Sequence, residues 1–450
     1  MLTVRCFMTS HRCSWNRFCR LVLRGTLALG GLSVNLLAVT APTDTNRWRL
    51  PEDLGRIVPD PARRVKPEGL TVACFTFPNY HPSALQARLY GPGWTEYVLT
   101  RAARPWFPGH QQPRTPLLGE LDERKPETWE RYNELAVTHG VDVFIWDWYW
   151  YDGGPALHEA LEQGFLLSRN RGKVKFAVMW TNHPWYVLFP TVNTSNRAAY
   201  PPSFEAPDAS QTEAWRSLSY VVSRYFHQTN YWRVDGKPVL CIWDPGRMVR
   251  QLGLAETGKL LADLRAFAAR LGHPGVHYHA AGFYSPHCRE LGFDTFGSYN
   301  PVDHVARTHQ PPDIEFPDYG VAAADVVTRQ WTYHAKDGSI PYIPGLGVGW
   351  DSTPRFAMPA APRPAVPNRD VWPRCAIMAN ESPGAFKAFV QAAFAYLHEH
   401  PETPRILTIA CWNEWSEGHY LLPDNRFGYG MLDALAEALG KPDTHLLHGR

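Results

Sequence analysis

No Cys-x-x-Cys pair occurs among the 8 cysteines, which excludes a zinc ribbon and a thiol redox motif. There is no His-Glu-x-x-His for a zinc hydrolase and no Gly-x-Ser-x-Gly elbow for a serine hydrolase triad. The glycine-rich stretch "GLGVG" (345–349) lacks the dinucleotide spacing and a following helix, so it gives a nucleotide site no support. Charge of one sign is also lacking. The 45 Lys and Arg nearly balance the 43 Asp and Glu, so nothing draws the chain generally to nucleic acid or to an anionic membrane. Past residue 41 no apolar run is long enough to span a bilayer. No ligand cluster demands a metal, no cofactor is expected, and the oligomeric state stays open.

The first 41 residues differ from the rest. Arg5, Arg12, Arg17 and Arg20 make a basic start, and "LVLRGTLALGGLSVNLLAVTA" (21–41) follows, broken by Arg24 and Asn35. Val39 and Ala41 suit a cleavage site before Pro42. This is the pattern of a signal peptide and predicts a periplasmic or secreted protein, with no stable membrane insertion after cleavage. A retained anchor and a misassigned start codon are the competing readings. Residues 42–68 read as a lead-in, and 69–445 as one domain. Three cysteines (Cys6, Cys13, Cys19) fall in the leader. Cys74, Cys241 and Cys411 sit in strand-like runs, as small buried residues do. A disulfide between Cys288 and Cys375 is left open.

What the chain does have is 44% apolar residues, enough for a large core, and an unusual 18 Trp and 20 Tyr. Short apolar runs recur at 70–78, 141–150, 174–182, 237–244, 275–283, 294–300, 342–350 and 405–415. Most are apolar on both faces and rich in Val, Ile, Phe and Trp, as buried parallel strands must be. Helical patterns separate them at 126–140, 154–167, 211–226, 256–272 and 382–400, and another follows at 428–440. The first opens on Pro126 and closes on Gly140. Strand–helix alternation with eight strands predicts a (β/α)8 TIM barrel. Long loops after strands one and seven (79–126 and 351–381) are rich in Pro, and in such a barrel they lie on the active-site face.

Polar residues cluster where such a barrel would place a site. Strand ends carry Tyr80 and His81, then Asp147, Trp148 and Tyr149, then Trp180, Asn182 and His183. Later ends carry Trp243 and Asp244, Tyr299, Trp350 and Asp351, and finally Trp412, Asn413, Glu414, Trp415, Glu417 and His419. Indole and phenol rings suit the apolar faces of sugars, while amides and carboxylates suit their hydroxyls. Two carboxyl groups are what glycoside cleavage usually needs, one donating a proton and one attacking or activating. The i, i+3 spacing of Glu414 and Glu417 lets both enter one pocket if the chain turns after Trp415. The competing reading is that one of them caps a loop or pairs with an arginine such as Arg355.

The motifs "FPNYHP", "GPGWTEY", "ARPWFPGHQQPRTP", "GVDVFIWDWYW", "YWRVDGKPVL", "GVGWDSTPR" and "ILTIACWNEWSEGHYLLPD" together resemble the glycoside hydrolase family 99-like (WbsX-like) proteins. That group is related to the endo-α-mannosidases and endo-α-mannanases of family 99, and the resemblance covers about residues 70–440. It implies a retaining glycosidase acting on a polysaccharide or glycan. Glu417 would be the general acid/base. Glu414 would act on the sugar 2-hydroxyl, which attacks the anomeric carbon through a 1,2-anhydro intermediate. It also implies that Asp351 and Arg355 lie at the pocket rim, with Trp350 lining it. Family 99 has His where this chain has Ser416, so its α-mannoside preference is not carried over. Two other readings stay open: a glycosyltransferase-like enzyme of surface polysaccharide synthesis, and a non-catalytic carbohydrate-binding barrel.

Overall fold

A computed structural model describes residues 68–106, 109–185, 189, 204–302, 318–338, 340–356 and 377–440. The expected signal peptide, nearly all of the lead-in, Cys375 and the middle of the loop after strand seven lie outside the described residues. Eight parallel strands form the barrel wall. They are β1 (Thr71–Thr76), β2 (Val143–Tyr151), β3 (Lys175–Trp180), β4 (Lys237–Ile242), β5 (His277–Ala280), β6 (Thr295–Gly297), β7 (Tyr342–Ile343 with Gly345–Gly347) and β8 (Ile406–Ala410). Each pairs with the next in chain order, and β8 pairs back onto β1 through Thr71↔Ile406 and Ala73↔Thr408. Pro344 splits β7. Its first piece pairs with β6 and its second with β8, so the two free edges of the sheet belong to one strand and the barrel closes.

The outer layer contains α3 (Pro126–His139), which follows the short α1 (Ala84–Tyr90) and α2 (Tyr97–Ala102) of the first loop. Next come α4 (Gln211–Tyr225), α5 (Pro245–Leu252), α6 (Leu254–Arg270), α7 (Tyr319–Asp325), α8 (Thr332–Asp337), α9 (Pro383–Glu399) and α10 (Gly430–Gly440). Their starts follow local chemistry. Ser210 accepts from the Glu213 amide, and Ser382 accepts from the Ala385 amide beside Pro383 at the first helical position.

One expected helix differs, and one connection carries none. Residues 154–167 do not form one continuous helix. Gly154–Ala156 turns back as a hairpin against Tyr149–Tyr151, and a single π turn and a 3-10 turn follow. Positive φ at Asp152 and Gly153 makes that reversal. Between β5 and β6 no helix forms among the described residues.

Both faces of the wall are buried, and the aromatic residues divide between them. Trp146 packs on Trp129 of α3, and Trp148 on Tyr220 and Tyr225 of α4. Alternation therefore turns Asp147 to the barrel axis. In register with it are Met179 and Cys241, and Cys241 pairs in turn with His279.

Candidate active site

The segment after β8 is folded by its own short-range bonds. Asn413 clamps β8 to β1: its side chain accepts from the Phe77 amide at 2.9 Å and donates to the Phe77 carbonyl at 2.8 Å. It also donates to Glu123, whose carboxyl burial pushes up to about 8. Asn413–Glu414 then pairs antiparallel with His419–Tyr420. A 3-10 turn, Trp415–Glu417, links them and closes on Gly418 at φ 67°. The Ser416 amide donates to the Tyr80 hydroxyl at 3.0 Å. This turn brings Glu414, Glu417 and His419 into one group, with an atom from each within 4.8 Å of the others.

Arg355 arrives from the opposite side, on a 3-10 turn in the loop after β7. Its Nη2 donates to Glu414 at 2.7 Å and to Glu96 at 2.7 Å, while Nη1 bonds Glu417. Its Nε donates to Ser416 at 2.8 Å and to Glu96 at 3.1 Å. The guanidinium also lies 5.8 Å from the Phe77 ring centre and 5.1 Å from that of Phe189. Burial opposes its charge, but Glu417, Glu96 and Glu414 outweigh that and keep it firmly protonated. Burial pushes the Glu414 carboxyl well above the usual carboxylate range. Arg355 pulls it back in part, while Glu417, Glu96 and Asp147 push it further up. Three carboxyls meet one guanidinium, so the group is suited to hold a proton. Glu417 also contacts His419 Nε2 at 3.0 Å, and with side-chain exposure of 19% it is the most open of the three acids. The acids and His419 have ligand-type atoms, but Arg355 already supplies their countercharge, so no metal site is assigned to them.

Asp147, on the axis side of β2, lies within electrostatic reach of this group. Its Oδ2 accepts from the Tyr299 hydroxyl at 3.2 Å, while its buried Oδ1 has no partner. Burial raises its carboxyl well above the ordinary range, and Glu417 adds to the shift. Half-buried Tyr299 packs against Trp243 at 5.0 Å and against His419 at 5.9 Å. Trp350 stacks on His419 at 5.2 Å. Tyr149 is within electrostatic reach of Asp147, Glu414 and Arg355. The structure thus brings together Glu414, Glu417, Arg355, Asp147, Tyr149, Tyr299, Trp243, Trp350 and His419.

The other residues expected at the site support it from behind. Tyr80 is buried against Tyr97 and holds the Ser416 amide. His81 faces Glu159 at 3.4 Å. Trp148 lies on the helix side of the wall, and Trp180 shares its register and face. Trp412 packs outward on Phe144 and Tyr132. Trp415 packs on Tyr420 at 4.0 Å, and Asn413 is the clamp already described. Asn182 bonds Asp208 and both backbone polar groups of Asp244, and Asp244 caps α5. The rim position expected for Asp351 is not found. It is fully buried, its Oδ2 accepting from His110 at 2.9 Å and from Gln112 at 2.7 Å. Burial opposes its charge, but His110 and Arg114 hold its carboxyl well below the usual range. Pairing with Arg355, raised as the alternative for one glutamate, holds for both.

Glu96, Glu123, His110, Gln112, Arg114, Glu381, which accepts from Arg114, and Arg426, which bonds Glu381, were not expected at this site. Five of the seven lie in the loop after β1, inside or beside "GPGWTEY" and "ARPWFPGHQQPRTP". Charged residues within a loop rich in Pro and aromatics were the available signal, because such a loop packs rather than floats.

The chain matches the model of the family described as "Glycosyltransferase WbsX" over residues 72–435. It is 27% identical over 392 residues to the protein WxcX of Xanthomonas campestris pv. campestris, covering 83% of this chain and 50% of that protein. The chain thus spans about half the length of the curated relatives it matches. Among solved structures, a glycoside hydrolase-like protein superposes with a TM-score of 0.51 at 13% identity, covering 87% of this chain and 99% of that one. This likeness shows the shared fold. A GH99 endo-alpha-mannosidase from Bacteroides thetaiotaomicron superposes with a TM-score of 0.49 at 15% identity, covering 82% of this chain and 94% of that one.

Proposed function

The chain belongs to the WbsX family, and from that premise we propose that it is an exported, retaining glycoside hydrolase acting on a polysaccharide or glycan. The observation that carries this reading is that Glu414 and Glu417 meet on one guanidinium beside His419, with an atom from each acid in one tight group. Two carboxyls at one site are what glycoside cleavage usually needs, one of them donating a proton. Trp243, Tyr299 and Trp350 give the sugar its apolar walls, and Asp147 gives an acceptor for a hydroxyl.

In the first step Glu414, ionised when the proton shared by the group sits on Glu417, takes the proton of the sugar 2-hydroxyl while that oxygen bonds to the anomeric carbon. The Glu417 carboxyl gives its proton to the leaving oxygen as the glycosidic bond breaks. In the second step Glu417 takes a proton from water, the water oxygen bonds to the anomeric carbon as the bond from that carbon to O2 breaks, and Glu414 returns its proton to O2. The configuration is inverted twice and so retained. Arg355 steadies both carboxylates as their charges exchange.

The test is the Glu417→Gln protein on a glycan panel digested by the wild type, with the first-formed anomer read by NMR. Loss of turnover in a folded variant and retention in the wild type are expected. Full activity in the variant, or inversion in the wild type, overturns the assignment. The family's description favours one second reading, transfer of a sugar from an activated donor. Calorimetric binding of a sugar nucleotide, with no hydrolysis across the panel, would select it. Export predicts that the mature protein from the native host begins at Pro42, which N-terminal sequencing checks.

A further inference from the structure

We infer that Arg114 and Asp351 are positioning residues that fix the reach of Glu417 by gripping its main chain from both sides. The inference rests on the glycosidase reading above for its kinetic consequence, but not for its geometry. The Asp351 amide donates to the Glu417 carbonyl at 2.7 Å. Arg114 Nη1 donates to the next carbonyl, that of Gly418, at 3.2 Å. Two successive carbonyls of the turn are therefore held by groups from two different loops. Gly418 has φ 67°, and a Cβ there would stand 2.8 Å from Asp351 and 2.9 Å from Arg114. The turn has no room to shift toward its grips, and it is bonded against moving away.

Both grips are themselves fixed. Arg114 Nη2 donates to Glu381 at 2.9 Å and lies 3.3 Å from Asp351 Oδ2. Asp351 Oδ1 accepts from the Thr353 amide and hydroxyl at 3.1 and 2.7 Å. Thr353 also begins the 3-10 turn that carries Arg355. One buried aspartate, through its amide on one side and its carboxylate on the other, thus sets the turn bearing Glu417 against the turn bearing its ionic partner. A proton donor must be placed to a fraction of an ångström, and that is what this arrangement supplies.

The test uses the full-length Arg114→Lys protein, which keeps the charge beside Glu381 and Asp351 but loses the two-armed fork. The Gly418→Ala protein strains the same grip from the opposite side. Each is assayed on an oligosaccharide cleaved by the wild type and on the 2,4-dinitrophenyl glycoside of the same sugar, whose leaving group needs no proton. We expect kcat/KM on the oligosaccharide to fall by on the order of 100-fold, and kcat/KM on the aryl glycoside, which reports only the first step, to stay within about three-fold. Equal losses on both substrates overturn the inference. A crystal structure of the Arg114→Lys protein decides independently of activity. A Glu417 carboxylate displaced from Arg355 supports the inference, and one left in place overturns it. A wild type with no activity on the panel would sink the glycosidase reading alone.

Discussion

Replacing Arg355 with methionine removes the cation that touches Glu96, Glu414 and Glu417 while keeping much of the side-chain volume. The three acids are buried or nearly so, and without the guanidinium they cannot all keep the charges they hold now. The cheapest escape is to bind at least one more proton. Holding one carboxyl protonated costs about 1.4 kcal/mol for each pH unit above its ordinary value, so roughly 4 kcal/mol at pH 7 and roughly 1 kcal/mol at pH 5. The sign follows from proton counts. The folded variant binds a proton that its unfolded chain releases, so its stability falls as pH rises through this window. Breaking a buried ion pair in other proteins costs about 3–5 kcal/mol, which agrees with the neutral-pH figure. The assay is urea unfolding of wild type and variant at pH 5 and pH 7, by fluorescence and circular dichroism. Coincident transitions are the condition for reading a free energy. A deficit that is the same at both pH values, or larger at pH 5, would refute the reasoning.

Gly164→Ala should destabilise by about 1–3 kcal/mol, because its Cβ would fall 2.1 Å from the Glu123 carbonyl and 2.6 Å from the Trp129 indole; the urea midpoint reads this. Glu123→Gln should flatten the pH dependence. Folding holds this carboxyl near pH 8, so between about pH 4.5 and 8 the native chain keeps a proton the unfolded chain loses, and stability falls as pH rises. The glutamine protein should therefore gain on the wild type from pH 5 to pH 8, and a constant gap between their midpoints would contradict this. Asn413→Ala removes three bonds that join β8 to β1 and Glu123, and should cost about 2–4 kcal/mol together with most activity; an unchanged midpoint would count against the clamp.

The placement of the wall strands along the chain was readable from the sequence because each is an unbroken apolar run, and continuous burial on both faces leaves few other assignments. That same continuity hid which side each residue takes. Asp147 and Trp148 are neighbours at one strand end, yet one faces the axis and the other α4. With both faces apolar, no alternation of polarity told them apart. Trp412 and Trp180 were drawn into the expected site for the same reason. Glu414 and Glu417 were legible because acids beside indoles at a strand end have little other use. Glu96 was not, since its meeting with Arg355 spans 259 residues of chain and depends on how a 48-residue loop folds over the mouth. The break of the second helical pattern was signalled only by Asp152 and Gly153, whose backbone reverses the chain before the helix can start.

The charges that join the loop after β1, the loop after β7 and the turn after β8 have a consequence for engineering and for descent. Arg114, Glu96, Asp351, Arg355 and Glu381 satisfy one another across segments far apart in the chain. Grafting either loop alone from a distant relative would strand buried ions on the segments left behind. The mouth of this barrel can be exchanged only as a set, so its loops should diversify together while the outer helices vary independently.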